Sequence, residues 1–197
     1  MEEREGTRLL ARSGRARRRA VRGAALALVS VLVLAGCTPL LMVGDSITVG
    51  VSSYVEPHYE DQGWVPTIDG RVGRPTDEVL QVIRTQRGDT QVFVVETGYN
   101  DAGDPALFRS RFQAIVHELA GAQKVVVVTL AESRSYYVTA NQTIRSLIAG
   151  RPNFVVADWA TRVRSVPGAL QSDGIHLTPA GATALAQLLA ETIGTDA

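Results

Sequence analysis

Four side chains that can act together on an ester stand beside apolar runs in this 197-residue chain. Ser46 follows Leu40 to Val43 in "LLMVGDSI", Asn100 follows Val92 to Glu96 in "VFVVETGYND", and Asp173 and His176 lie three apart in "SDGIHLTP". A serine hydroxyl is a poor nucleophile until a base takes its proton. A histidine can be that base, and a neighbouring carboxylate holds its tautomer and stabilises its charged form. An oxyanion then needs donors already in place, which backbone N–H groups and an asparagine amide can supply. Singly, each residue has a plainer reading. Ser46 can cap a helix, Asn100 can make a turn, Asp173 can cap the turn before the last helix, and His176 can sit on the surface, as His58 and His117 are read. The plain readings would all have to hold at once, at the ends of the right strands.

Those strands are read from apolar runs. Leu40–Val43, Val65–Ile68, Val92–Glu96, Lys124–Leu130 and Phe154–Asp158 are candidates, the second the weakest. They are continuous rather than alternating, as expected for strands buried on both faces of a parallel sheet. Helical spacing fills the gaps. Val79, Leu80 and Ile83 mark a helix over Pro75–Arg84, and Leu107, Phe108, Phe112, Ile115, Val116 and Leu119 mark one from Asp104-Pro105 to Gly121. A third runs from Thr139 to Ala149, and Thr178-Pro179 starts the last. Asp or Thr followed by Pro is a helix start, with the cap and the first helical position both satisfied. The alternation predicts a single three-layer α/β/α sandwich with a five-stranded parallel sheet, of the flavodoxin-like kind. Ligands bind at the carboxyl ends of such strands. One edge therefore gathers Ser46, the glycines and arginines of "DGRVGR" (Asp69–Arg74), Asn100 and the Asp173/His176 pair.

The first 36 residues read as an export signal rather than as part of the fold. Eight arginines and three glutamates lie in residues 1–22, followed by "AALALVSVLVLA" from Ala24 to Ala35. That is a basic region and a short apolar region. Twelve helical residues reach only about 18 Å, short of a hydrocarbon core of roughly 30 Å. Leu34-Ala35-Gly36-Cys37 resembles the lipobox of bacterial lipoproteins, in which the cysteine is lipidated and becomes the new N-terminus. Cys37 is also the only cysteine, so no internal disulfide forms. The expected organisation is a signal peptide over residues 1–36 and one domain over residues 37–197. The expected location is the outer face of the cell membrane through a lipidated Cys37, or the medium. From Cys37 onward, 12 basic residues stand against 17 acidic ones, about −5. That argues against a nucleic-acid partner, which needs a basic face.

The motifs together resemble the SGNH (GDSL-type) hydrolase superfamily across the whole exported part, in the family's order. Ser46 in "GDSITVG" matches block I, Gly73 block II, Asn100 in "GYND" block III, and Asp173 with His176 the Asp-x-x-His of block V. The resemblance implies Ser46, His176 and Asp173 as a catalytic triad, and the Ser46 N–H, the Gly73 N–H and the Asn100 amide as an oxyanion hole. Asp45 is read as structural. The α/β-hydrolase alternative is disfavoured, because Gly-Asp-Ser-Ile-Thr is not a G-x-S-x-G elbow. Arg74, Tyr99, Arg134 and Tyr136 are candidate substrate-rim residues, with Ala131–Val138 read as a loop. "VGR" and "DGIHLTPAG" also resemble the SGNH domains joined to membrane acyltransferases that O-acetylate cell-surface glycans.

The expected function is an exported serine esterase, a monomer, acting on small acyl esters carried by a carbohydrate or cell-wall glycan. No cofactor or metal is expected. The chain shows no many-span module to supply acyl groups, which favours hydrolysis. The alternatives are an O-acyltransferase fed by a partner, and a surface binding protein with a silent triad. Because the first strand would start beside Cys37 and run outward, Ser46 is expected to face the wall rather than the lipid.

Overall fold

A computed structural model describes residues 38–101 and 103–194. The leader and Cys37 lie outside the described residues. Among the described residues five strands alternate with helices, two of which follow the last strand: β1 (Thr38–Gly44), α1 (Ser46–Asp61), β2 (Trp64–Gly70), α2 (Thr76–Gln86), β3 (Val92–Glu96), α3 (Pro105–Glu118), β4 (Lys124–Val128), α4 (Ser135–Ile148), β5 (Phe154–Ala157), α5 (Trp159–Arg162) and α6 (Pro179–Ile193). All strand pairs are parallel, in the order β2-β1-β3-β4-β5.

The pleat sorts the central strands between two cores. Leu40 and Met42 of β1 join Val92 and Val94 of β3 against α1 and α6, where Ile47, Val51, Val55, Leu185 and Leu189 are buried. Leu41 and Val43 join Phe93 and Val95 against α2, α3 and α4, through Val79, Ile83, Phe108, Phe112 and Ile144. Strands covered on both faces must be apolar at every position, which is why the runs do not alternate. Both Pro-started helices form as read: Asp104 accepts from the N–H groups of Ala106 and Leu107, and Thr178 from that of Gly181.

The structure corrects several boundaries. β2 runs over seven residues, longer than Val65–Ile68, because its whole length pairs with β1. β4 stops at Val128; beyond it the buried Asn141 side chain, rather than a neighbouring strand, bonds both the N–H and the C=O of Leu130. The stretch Ala131–Val138 is not all loop. Helix α4 begins at Ser135, four residues before Thr139, because Tyr137 packs into the core against Tyr99. Helix α1 has 16 residues and carries Pro57 in its interior, and its apolar periodicity is weak, so its extent is not apparent from the sequence.

The strand order reverses at β1, which has β2 on one side and β3 on the other. At such a switch point the following connections leave to opposite faces and a crevice opens at the carboxyl ends. Ser46 and Asn100 lie on the segments that leave β1 and β3 there.

Candidate active site

The β1–α1 corner is built around Gly44. A Cβ there would lie 2.0 Å from Thr48 Oγ1 and 2.6 Å from Glu96 Oε2, so only glycine fits. The next residue, Asp45, caps α1 by accepting from the Ile47 N–H at 3.0 Å. Ser46 is then the first helical residue and is half-buried. Its N–H, like that of Gly73, makes no hydrogen bond among the described residues. Gly73 is exposed at φ +74°, in a turn closed by the Arg74 N–H on the Arg71 carbonyl.

On the far side of the crevice the stretch before α6 folds back on itself. Leu170 and Leu177 form an antiparallel bridge, and the Gln171 N–H bonds the His176 carbonyl at 2.8 Å. Gly174 takes φ +71°, and a Cβ on it would meet Ser133 Cβ at 2.9 Å. The turn presents Asp173 and His176 side by side. Asp173 Oδ1 accepts from the N–H groups of Ile175 and His176, at 2.8 and 3.0 Å, and its Oδ2 lies 2.6 Å from His176 Nδ1. The His176 ring bond and the two backbone N–H bonds lower Asp173 to about 2, so it is a carboxylate over the whole working range. An ionised carboxylate only accepts, so Nδ1 carries the proton and Nε2 is left to accept. His176 Nε2 stands 3.1 Å from Ser46 Oγ. Residues 130 positions apart thus meet within hydrogen-bonding distance.

Asn100 arrives on the β3–α3 connection. Its Nδ2 donates to Asp45 Oδ2 at 2.9 Å, which uses one amide hydrogen and leaves a second. Behind it stands a group that the sequence reading passed over as the end of an apolar run. Glu96 is 2 % exposed, and its Oε2 accepts from the Asp45 N–H, the Thr48 N–H and Thr48 Oγ1 at 3.0, 3.3 and 3.1 Å. Its carboxyl is a close neighbour of that of Asp45, and the charge of Asp45 acts on it. Asp101 is another buried acid with a bracing role: it accepts from Thr76 N–H and Oγ1 and from Arg111. A glutamate closing a strand and an aspartate after an asparagine carry no local signal of such partners.

The rim residues divide. Arg74 is not on the rim. It is 5 % exposed, and its guanidinium is spent on the carboxylate and carbonyl of Asp69 and on the Gly44 carbonyl. An arginine that near the strand ends pins the β1 and β2 carbonyls instead of meeting solvent. Tyr99 is half-buried, its hydroxyl accepting from the Ala131 N–H at 2.6 Å and its ring edge-on to Tyr137. It braces the β4 exit. Arg134 is exposed over the Tyr137 ring, and Tyr136 is half-buried beside it. A cavity of about 450 Å³ lies over the carboxyl ends of β4 and β5, and Gly174 of the His176 turn forms part of its wall. Val163 and Val166 give it apolar sides, and Glu132, Ser133 and Arg164 polar ones. Among the described residues no group of three or more metal-ligating side chains is placed to hold an ion.

No family model matches the chain. The putative peptidoglycan O-acetyltransferase YrhL of Bacillus subtilis is 24% identical over 157 residues, which is 78% of this chain and 23% of that protein. O-acetyltransferase OatA of Staphylococcus aureus is 27% identical over 161 residues, 80% of this chain and 25% of that protein. The chain therefore spans about a quarter of the length of the curated relatives it matches. Among solved structures, the C-terminal catalytic domain of Streptococcus pneumoniae peptidoglycan O-acetyltransferase A, with a methylsulfonyl adduct, matches with TM-score 0.66 at 18% identity over 80% of this chain and 93% of that one. The acetylxylan esterase Axe2 of Geobacillus stearothermophilus matches with TM-score 0.64 at 18% identity over 81% and 95%.

Proposed function

We propose that the chain is an SGNH-type hydrolase that takes a small acyl group, acetyl in the first instance, from an ester onto Ser46 and releases it to water, a reading that the O-acetyltransferase relatives and the shared fold support. The observation that carries this reading is the relay in which His176 Nε2 lies 3.1 Å from Ser46 Oγ while Nδ1 lies 2.6 Å from Asp173. In the proposed reaction His176 takes the Ser46 proton as Oγ attacks the ester carbonyl. The oxyanion forms among the Ser46 and Gly73 N–H groups and the second Asn100 amide hydrogen. His176 then returns the proton to the leaving alcohol, and water repeats the cycle on the acyl-serine. The His176 side chain is 44% exposed, so water reaches the base, which supports hydrolysis.

The curated relatives support a second reading, transfer of the acyl group to a glycan hydroxyl. Both readings share the acyl-serine and differ in what removes it. In either, the alcohol half of the ester lies on the side of His176, because that residue must reach its oxygen. The cavity that Gly174 helps to wall lies beside the His176 turn, and its apolar flanks and charged rim suit a sugar unit of a glycan.

For placement, β1 begins at Thr38, directly after Cys37. If Cys37 is lipidated, the seven residues of β1 carry the corner roughly 20 Å from the anchor. Ser46 then works on the wall side.

The test is hydrolysis of p-nitrophenyl acetate and butyrate by the full chain beside Ser46→Ala and His176→Ala, repeated with a chito-oligosaccharide acceptor. Turnover lost in both variants is expected. Acceptor-dependent formation of an O-acetylated sugar at the expense of acetate would select transfer over hydrolysis. Undiminished turnover in the Ser46 variant would contradict the acyl-serine reading.

A further inference from the structure

Two carboxyl groups face each other behind the nucleophile. Asp45 is fully buried and Glu96 is 2 % exposed, and the Asp45 N–H donates to Glu96 Oε2 at 3.0 Å, which sets the two carboxyl groups beside each other. Among the described residues neither forms an ion pair with lysine or arginine. The titratable groups facing them are His176, across from Asp45, and Tyr99 on the β3–α3 connection; α1 contributes the neutral Thr48. Two adjacent carboxylates cannot both ionise in such a setting, so the pair keeps one proton.

The hydrogen bonds locate that proton. Glu96 Oε2 already accepts three donors, which leaves Oε1 as the oxygen that can carry the hydrogen. Asp45 is the N-cap of a 16-residue helix, whose positive end favours an ionised side chain. The carboxylate of Asp45 is also the group that holds Asn100 Nδ2 at 2.9 Å.

We propose that Glu96 is a positioning residue that works as a neutral carboxylic acid, donating to the Asp45 carboxylate and thereby aiming the Asn100 amide at the oxyanion. This rests on the reading of Asn100 given above. Burial first, and then the charge of Asp45, push the Glu96 carboxyl well above the usual carboxylate range. Because the folded-state affinity for the proton is raised, wild type pays a stability cost that begins near the unfolded value of about 4.3 and grows as pH climbs toward the folded value. Glutamine has the shape of the protonated acid, keeps its donor and its acceptor, and does not titrate. Aspartate keeps the acid but falls short of Asp45.

The experiment compares full-length wild type, Glu96→Gln and Glu96→Asp in thermal melts from pH 4 to 9 and in p-nitrophenyl acetate kinetics over the same range. Glu96→Gln is expected to keep kcat within about twofold at pH 7. Its Tm should gain on wild type by roughly 3 °C or more between pH 4.5 and 8. Glu96→Asp should lose roughly 10- to 100-fold in kcat with KM unchanged. A tenfold loss in Glu96→Gln at pH 7, a Tm difference independent of pH, or full kcat in Glu96→Asp would each overturn the proposal. The melts need no turnover, so a wild type without Ser46-dependent activity would remove the reaction reading while leaving the protonation of Glu96 tested.

Discussion

The serine corner and the histidine turn meet over a single 3.1 Å contact but are built by opposite means. The corner is interior structure. Gly44, Asp45 and Thr48 are buried, and the hydrogen bonds of Asp45 and Thr48 reach Glu96, 48 to 51 residues away. The turn is surface structure. Asp173 and His176 are 41% and 44% exposed, and Asp173 is tied to residues two and three positions on. One half of the site is held by the core and the other by its own backbone. Damage to the corner should therefore cost stability and rate together, whereas damage to the turn should cost rate alone.

The largest effect that would sharpen this contrast is at the turn. Asp173→Asn should lower kcat by about 10⁴-fold, because the amide favours the wrong imidazole tautomer. Its Tm should stay within about 2 °C of wild type, since exposed substitutions change stability little. A collapse in Tm would break the contrast. Next is Asn100→Ala, for which loss of one proposed oxyanion donor predicts a fall of roughly 100- to 1000-fold in kcat, with KM nearly unchanged. Because Asp45 also loses a partner, Tm should fall measurably as well, unlike that of Asp173→Asn.

Gly44→Ala tests the corner by packing. The added methyl must displace Thr48 Oγ1 and Glu96 Oε2, and overpacking of this kind costs about 1–3 kcal/mol. A Tm drop of roughly 5 °C with a parallel loss of kcat is expected; a methyl tolerated without either change would show the corner to be loose. A smaller effect belongs to the cavity beside the turn. Val163→Trp should raise KM several-fold for acetylated oligosaccharides and leave p-nitrophenyl acetate untouched. Equal effects on both substrates would remove the cavity from the substrate path.

The smallest effect is in the pH dependence of the turn. Asp173 falls from an unfolded value of about 3.9 to about 2 in the fold. A depressed carboxylate contributes stability that is present above the unfolded value and lost as pH falls through the folded one. The Tm difference between wild type and Asp173→Asn should thus narrow as pH falls below about 4. A difference that stays the same from about pH 5 down to about pH 2 would contradict the assignment.

The same contrast explains what could be read from the chain without the structure. Asp173 and His176 declare themselves because their partners are local, and Ser46 because its corner needs Gly44 and a cap beside it. The strands β1, β3 and β4 stand out because burial on both faces makes their central positions apolar. Glu96 does not stand out, since nothing in "VFVVE" tells that the glutamate turns inward to meet residues some fifty positions earlier. Arg74 misleads for the same reason: an arginine beside a turn glycine looks solvent-facing until Asp69 and the Gly44 carbonyl are seen to claim it. Tyr137 likewise reads as part of an exposed loop until the ring of Tyr99 gives it a wall to pack on. Local chemistry is legible, whereas chemistry held by distant partners is not.

The claim on which the rest depends is that acyl transfer passes through Ser46. The direct measurement is mass spectrometry of the full chain quenched with acid during turnover of p-nitrophenyl acetate, followed by digestion. The account predicts one added acetyl group on the peptide that carries Ser46, absent in Ser46→Ala. Rapid turnover with that peptide unmodified at every time point, or the acetyl group on another residue, would contradict it.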